Sequence, residues 1–180
     1  MIWAWIAVTA VLSGTIAAFF VISCTVAKQS DEQTEKLWEQ KFMDIYLDEG
    51  AILPTRAHST DAGLDLYSKE EKTIHAHGSA AFDTGVHIKL PTNTYGKIES
   101  KSGLNVKYDV VSCGGVIDEP YRGSIVVKLY NLGEKDYTVK KGDKIAQLVV
   151  MECLYVTPIE TKDWNNDTER GTDGFGSTGR

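Results

Sequence analysis

Cysteine is scarce in this chain of 180 residues, and the three cysteines are far apart. Cys24, Cys113 and Cys153 form no Cys-x-x-Cys pair, so their spacing indicates neither a zinc site nor a disulfide framework. We therefore expect free thiols that are mostly buried, in a protein of a reducing compartment.

A net positive charge is also lacking. The 19 lysines and arginines are outnumbered by 25 aspartates and glutamates, which gives a formal net charge of -6. At long range this charge repels a phosphate backbone, so the sequence weighs against a nucleic-acid binder. A small anionic ligand stays compatible with it, because a local cluster of lysines and arginines outweighs the net charge at short distance.

Charged residues are absent between residues 2 and 27. The length of this apolar run predicts a transmembrane helix over residues 1 to 27, with Trp3 and Trp5 at a membrane interface. A polar tether follows over residues 28 to 42. Since lysines follow the apolar run and no basic residue precedes it, the positive-inside rule predicts a cytoplasmic domain that is anchored to the membrane.

Met43 offers a second interpretation of this N-terminal segment. The stretch that it opens, Met-Asp-Ile-Tyr-Leu-Asp-Glu-Gly, is typical of a protein start. Translation from Met43 would leave out the hydrophobic run, and the sequence leaves both interpretations open.

Long amphipathic helices are missing from residues 43 to 164, where short apolar runs alternate with turn-forming residues. Several runs alternate apolar and polar side chains, as half-buried strands do. We predict an all-β sandwich, barrel or jelly roll, and the lack of helical crossovers weighs against a Rossmann or P-loop fold. Residues 165 to 180 are polar and rich in glycine, which predicts a mobile tail. The clearest predicted strands are Val86 to Leu90, Tyr95 to Glu99, Ser124 to Tyr130, Tyr137 to Val139 and Ile145 to Met151.

Five segments concentrate residues that a packed core does not need. Taken one at a time, each also has an ordinary explanation, because aspartates cap turns, Lys-Ser-Gly forms turns and a glutamine in a strand is often a hydrogen-bonded buried amide. The segments are Asp61-Ala62-Gly63-Leu64-Asp65-Leu66-Tyr67-Ser68, Lys101-Ser102-Gly103-Leu104, Gly114-Gly115-Val116-Ile117-Asp118-Glu119-Pro120-Tyr121-Arg122-Gly123, Gly142-Asp143-Lys144-Ile145-Ala146-Gln147-Leu148, and Arg170-Gly171-Thr172-Asp173-Gly174-Phe175-Gly176-Ser177-Thr178-Gly179.

In this order and spacing the five segments resemble the five motifs of the trimeric dUTPases, over about residues 44 to 180. The resemblance implies a dUTPase-type β-barrel or jelly roll, a homotrimer whose sites are each built from three chains, and Mg²⁺-dependent hydrolysis of dUTP to dUMP and pyrophosphate. Two alternatives share the fold, a dCTP deaminase-like enzyme and a phage-type regulatory binding protein.

The resemblance assigns the phosphate contacts to three of the segments. Lys101, Ser102 and Gly103 are similar to the phosphate-binding second motif, and Arg170 to the arginine that grips the terminal phosphate. Gln147 resembles the glutamine that contacts the phosphate chain. Cationic and hydroxyl donors suit this task because they stabilise the charge that builds during displacement.

The resemblance assigns roles in catalysis and metal binding to two aspartates. Asp118 resembles the general base that deprotonates the water attacking the α-phosphorus. Asp65 resembles the carboxylate that holds magnesium through water, which suits an ion that keeps much of its hydration shell.

The resemblance also implies how the base is read. A hairpin from Val111 to Ile117, with Ser112 at its bend, is expected to contact uracil largely through backbone groups, Val116 and Ile117 among them. Such a hairpin excludes the thymine methyl by contact and rejects cytosine by mismatched donors and acceptors.

Tyr121 resembles the tyrosine that packs on the deoxyribose. Phe175, followed by Gly176, resembles the aromatic residue that stacks on uracil when the tail closes.

Two positions depart from the usual pattern. Lys101 stands where arginine is common, which replaces a planar fork by a point charge, and Pro120 stands where an acidic residue is common.

Overall fold

The structure is a computed structural model that describes residues 28–31, 42–113, 115–164, 167–169 and 171–172. Within these residues the chain forms eleven strands and a short helix, Ser102–Tyr108, here called the Ser102 helix, and residues 28–31 are also helical. The strands are β1 (Asp44–Leu47), β2 (Leu64–Tyr67), β3 (Lys72–Ile74), β4 (Ser79–Asp83), β5 (Val86–Lys89), β6 (Thr94–Glu99), β7 (Val110–Ser112), β8 (Val116–Ile117), β9 (Val126–Asn131), β10 (Tyr137–Val139) and β11 (Lys144–Glu152).

The strands form antiparallel sheets. Two of them have two strands each, β1-β5 and β10-β3, one has the order β4-β9-β7, and the largest has the order β2-β11-β6-β8. The prediction of a mainly β domain is confirmed.

The core lies where the apolar faces of these sheets meet. In β4 and β9 every second residue is buried, as the alternating sequence pattern predicts. Phe82, Ile125 and Leu129 are fully buried. Side chains of this kind each contribute roughly 1.5–3 kcal/mol by leaving water.

The same alternation creates a polar row across the largest sheet. Leu148 of β11 lies opposite Ile98 of β6 and is fully buried. Its neighbour Gln147 lies opposite Asp65 of β2 on one side and Glu99 of β6 on the other. Since successive side chains point to opposite faces, these three polar residues stand side by side.

The Ser102 helix was not predicted, and its exposure to solvent explains why. None of its seven residues is buried, so its sequence carries no apolar stripe from which a helix is recognised. Lys101 precedes its first residue in extended conformation, and Asp109 ends it with φ 55° and an N–H that donates to the Asn105 carbonyl at 3.0 Å.

Several predictions fall outside the described residues, among them the transmembrane helix over residues 1 to 27, Cys24 and most of the tether. No helix in the described part of the chain is both long and apolar enough to cross a bilayer.

The expectation of mostly buried thiols is wrong for the two cysteines that are described. Cys113 is exposed and Cys153 is partly exposed, because each directly follows the end of a strand where the chain leaves the core.

Candidate active site

Asp65 is a nearly buried carboxylate held between two lysines. It is 4% exposed in β2, with Lys101 Nζ 2.5 Å from Oδ1 and Lys144 Nζ 2.7 Å from Oδ2. Burial alone would raise the pKa of Asp65, but the hydrogen bonds from Lys101 and Lys144 outweigh it and lower the pKa below its usual value. The carboxylate is therefore charged at neutral pH, and its ion pair raises the pKa of Lys144.

Lys144 is a site residue that the sequence analysis missed. Residues three apart on a regular strand point to opposite faces, which would separate Lys144 from Gln147. The β2-β11 pairing shifts its register between Lys144 and Ala146, and this irregularity turns Lys144 toward Asp65. The available signal was a lysine inside the fourth motif, three residues before the predicted glutamine.

Gln147 is fixed by its surroundings. Its Nε2 donates to the Ser100 carbonyl at 3.1 Å. Its side chain lies directly on Gly63, where an added Cβ would lie 2.9 Å from the Gln147 Cβ and still closer to Oε1. A glycine in the first motif is therefore needed for the glutamine of the fourth to reach its place.

Ser100 connects the segment that is expected to bind phosphate with the segment that is expected to contact the base. Its Oγ accepts from the Ser112 N–H at 2.9 Å and lies 3.1 Å from the Ser112 hydroxyl. Ser100 directly precedes Lys101, so the segment expected to read the base is tied to the start of the phosphate-binding motif. We call Asp65, Ser100, Lys101, Lys144 and Gln147 the phosphate cluster.

Ser102 and Gly103 lie at the first turn of the Ser102 helix and are exposed. A Cβ added to Gly103 would have no neighbour within 4 Å. The face beside the phosphate cluster is therefore open to a ligand at these two residues.

The segment from Val111 to Ile117 is not a paired hairpin. Its first strand, β7, pairs with β9, whereas its second, β8, pairs with β6, so the segment crosses from one sheet to another. Gly115 accepts from the Ile98 N–H at 2.8 Å with φ 130°, and an added Cβ would lie 2.6 Å from the Ile98 Cβ. This close approach and positive φ require glycine.

Asp118 and Tyr121 lie in a tight loop, residues 118–124, which we call the Asp118 loop. The Tyr121 N–H donates to the Asp118 carbonyl at 3.0 Å, and the Tyr121 hydroxyl donates to the Ser124 carbonyl at 3.0 Å. A Cβ on Gly123 would collide with the phenol of Tyr121. The loop presents Asp118 as an exposed carboxylate next to an exposed aromatic ring.

Within one chain, the Asp118 loop is remote from the phosphate cluster. Ile117 lies opposite Gly96 in the antiparallel β6-β8 pair, so Asp118 follows at the Tyr95 end of β6. Lys101 comes six residues after Tyr95, and a rise of about 3.3 Å per residue separates them by roughly 20 Å along the strand. Asp118 therefore does not meet the phosphate cluster of its own chain.

A cavity of 770 Å³ opens beside the Asp118 loop, a volume in the range of small-molecule sites. Glu119 in its wall accepts from the Tyr155 hydroxyl at 2.6 Å and from the Asn93 N–H at 2.9 Å. The bond to Glu119 raises the pKa of Tyr155 to about 12. The lining residues are Thr94, Tyr95, Val116, Asp118, Glu119, Pro120, Cys153 and Tyr155.

Arg170, Phe175 and Gly176 lie outside the described residues, and their roles stay predictions. Across the described ranges no three His, Cys, Asp or Glu side chains are grouped closely enough to hold a metal ion by themselves.

Comparison with known proteins gives concordant matches. The family model described as dUTPase matches residues 49–179. A deoxyuridine 5'-triphosphate nucleotidohydrolase of Clostridium acetobutylicum is 46% identical over 135 residues, which are 74% of this chain and 92% of that protein. The protein of the same name from Candida albicans is 42% identical over 150 residues, 81% of this chain and 93% of that protein. Among solved structures, a mutant dUTPase of Staphylococcus bacteriophage 80alpha with dUpNHpp superposes with a TM-score of 0.74 at 26% identity, covering 78% of this chain and 99% of that one.

Proposed function

The chain belongs to the dUTPase family and acts as a dUTP diphosphatase, and we propose that its chemistry is divided between the phosphate cluster of one chain and the Asp118 loop of another. The observation that supports phosphate binding by this cluster is the pair of lysines around Asp65, a local concentration of positive charge in a chain of net charge -6.

The phosphate cluster supplies binding and charge stabilisation. Lys101 and Lys144 offer ammonium donors, and Gln147 offers an amide fixed against Gly63. Prepositioned donors of this kind stabilise the negative charge that develops on the phosphate oxygens. Ser102 and Gly103 extend the same surface outward.

Asp118 acts as the general base. Its exposed carboxylate takes a proton from a water molecule whose oxygen attacks the α-phosphorus of dUTP. The bond between the α-phosphorus and the bridging oxygen breaks, pyrophosphate leaves with the electron pair of that bond, and dUMP keeps the new oxygen.

Magnesium fits this site as an ion carried by the triphosphate. Both Asp65 oxygens are within 2.7 Å of a lysine Nζ, which suits contact through metal-bound water better than direct ligation. Asp65 and the Gln147 amide would hold that hydration shell, and the ion would supply neutralisation of the phosphate charge.

The dUTPase-type barrel or jelly roll is proposed to assemble as a homotrimer. The roughly 20 Å between Asp118 and Lys101 along β6 leaves each chain with separate parts of a site, which a neighbouring chain has to complete. Beyond β11, Leu154, Val156 and Ile159 are 88%, 80% and 85% exposed. Exposed apolar side chains in series mark an interaction surface.

The test is pyrophosphate release by the full chain with dUTP, dCTP, dTTP and UTP, each with magnesium and with a chelator. We expect release from dUTP alone, lost on chelation. Release from none of the four by a folded protein would refute the function, and release from dUTP that persists with the chelator would refute only the role of magnesium.

The cytoplasmic location of the domain and its anchoring through residues 2 to 27 stay predictions. Fractionation of cells that express the full chain, with the enzyme activity followed in membrane and soluble fractions, tests both.

A further inference from the structure

His87 in β5 bonds through both ring nitrogens. Nδ1 lies 2.8 Å from the Arg122 carbonyl oxygen and Nε2 lies 3.2 Å from Asp48 Oδ1. Neither acceptor carries a proton, and a neutral imidazole has only one N–H to donate. Both bonds therefore form together only when His87 is protonated.

Acidic groups near His87 favour that protonated form. Asp48 faces it from the residue after β1, and Asp83 faces it from β4. Asp83 is itself paired with Lys69 at 2.7 Å, which reduces its influence. The hydrogen bond to the Arg122 carbonyl raises the pKa of His87, burial lowers it, and Asp48 raises it again, with a net increase above the ordinary value.

Basic and aromatic groups around His87 do not cancel this preference. The Arg122 guanidinium is turned back onto its own loop, where Nη1 donates to the Glu119 carbonyl at 2.6 Å and to the Tyr121 carbonyl at 2.8 Å. Lys89 lies 3.7 Å from Asp44. The uncharged ring of Tyr46 meets the imidazole edge-on at 5.5 Å.

The Arg122 carbonyl belongs to the Asp118 loop, one residue after Tyr121. The far end of the loop is fixed independently, because the Ile125 N–H donates to the Val86 carbonyl at 2.8 Å and Ser124 Oγ donates to Asp83. The bond from His87 thus fixes the middle of the loop to β5, at the residue that follows the tyrosine assigned to the sugar.

We propose that His87 is a positioning residue for substrate binding, which in its protonated form fixes the Asp118 loop through the Arg122 carbonyl and weakens that hold when the proton is lost. The inference rests on the proposed function of the loop. It adds to that function a pH-dependent control that the five motifs do not contain.

The direction with pH follows from the chemistry of the pair. Below the pKa of His87 both bonds are made, and the Arg122 bond has the added strength of a charged donor. Above it, one proton is shared between a carbonyl and a carboxylate, so the loop is held less often. Because the pKa is raised, the change falls above the ordinary value of 6.5.

The experiment measures KM and kcat for dUTP with the full chain and its His87→Phe and His87→Gln variants, from pH 5.5 to 9. Phenylalanine donates no hydrogen bond, so we expect its KM at pH 6 to exceed that of the unchanged chain by about threefold to tenfold, the worth of one charge-assisted bond. At pH 9 the two values should converge. Glutamine keeps one neutral donor. The KM of His87→Gln divided by that of the unchanged chain should therefore be smallest at high pH.

The terminal phosphate of the substrate titrates near neutral pH as well, and comparison with the unchanged chain at each pH removes that effect. Asp48→Asn should move the rise in KM to lower pH, since it removes the carboxylate facing His87. His77→Gln, whose side chain is 61% exposed beside Glu134, is the matched control and should leave the profile unchanged.

The inference would be overturned by equal KM values for His87→Phe and the unchanged chain at pH 6, or by a difference in KM that stays constant to pH 9. In either case, turnover of dUTP by the unchanged chain would still uphold the proposed function. Absence of turnover in the unchanged chain at every pH would instead remove the proposed function itself. The effect should fall on KM more than on kcat, because Asp118 is also held by the Tyr121 N–H. A fall in kcat with no change in KM would contradict a positioning role in binding.

Discussion

At the scale of single residues, Asp118 offers the sharpest separation of chemistry from binding. Asp118→Asn keeps the size of the side chain but removes the proton acceptor, so turnover of dUTP should fall by about a hundredfold to ten-thousandfold. Binding of a non-hydrolysable dUTP analogue, measured by calorimetry, should change little. Unchanged turnover would show that another group is the base.

Lys144 tests whether the charge around Asp65 acts on the substrate. Lys144→Met leaves the buried carboxylate with one partner and removes a cation, so the dissociation constant for the analogue should rise by about tenfold or more. Lys144→Arg restores the charge and should recover most of the affinity. If methionine and arginine bind the analogue equally well, Lys144 serves the fold rather than the ligand.

The sequence assigns roles to the motif residues only through the order and spacing of all five motifs, and it does not give their contacts. Asp65 and Gln147 were assigned from their motifs, and the register of β2 and β11 places them opposite each other. Lys144 was missed because regular alternation predicts the wrong face for it. Ser100 was missed because its contact with Ser112 joins two segments that are distant in sequence.

At the scale of strands and helices, Gly63 links two motifs by packing alone. Gly63→Ala places a methyl group against Gln147, so we expect a loss of about 1–3 kcal/mol in the free energy of unfolding and weaker binding of the analogue. Chemical denaturation measures the first effect and calorimetry the second.

Gly103→Ala is the matched control for that prediction. Its Cβ would meet no atom within 4 Å and it lies in a helix, where alanine is favoured over glycine. Its stability should stay the same or rise. A loss as large as that of Gly63→Ala would mean that the cost comes from replacing glycine in general, and not from the contact with Gln147.

Strands were predictable where apolar and polar residues alternate. Tyr137 to Val139 was predicted with the bounds of β10, the prediction for β6 differs by one residue at its start, and the prediction for β11 differs by one residue at each end. The three-residue β3 begins with two exposed polar residues, Lys72 and Thr73, so it lacks the apolar-polar-apolar alternation of β10. The Ser102 helix buries nothing, so its conformation is set by the turn that positions Lys101 rather than by an apolar face.

At the scale of the whole molecule, the separation of Asp118 from the phosphate cluster predicts complementation between inactive chains. Asp118→Asn lacks the base and Gln147→Ala lacks a phosphate contact, so each alone should turn over dUTP poorly. Unfolding the two together and refolding them should restore about a quarter of full activity, the fraction of random chain contacts that unite an intact Asp118 with an intact Gln147. Mixing without unfolding is the control.

No recovery after co-refolding, in assemblies shown to contain both chains, would place the entire site within one chain. That outcome would require the Asp118 loop to move by roughly 20 Å, against the β6-β8 pairing that holds its first residue. The sequence implies a site shared between chains only through the resemblance to a trimeric family, because the order of the motifs along the chain does not say which of them lie at opposite ends of a strand.

The irregularity in β11 between Lys144 and Ala146 has a consequence for how this segment tolerates insertions and deletions. Inserting one further residue there, beside the extra residue that the irregularity already holds, would turn the lysine to the other side of the sheet while leaving every motif residue present. Its position depends on how many residues separate it from Gln147 as much as on its own identity. Substitutions in this segment are therefore open to compensation, whereas an insertion of one residue is not.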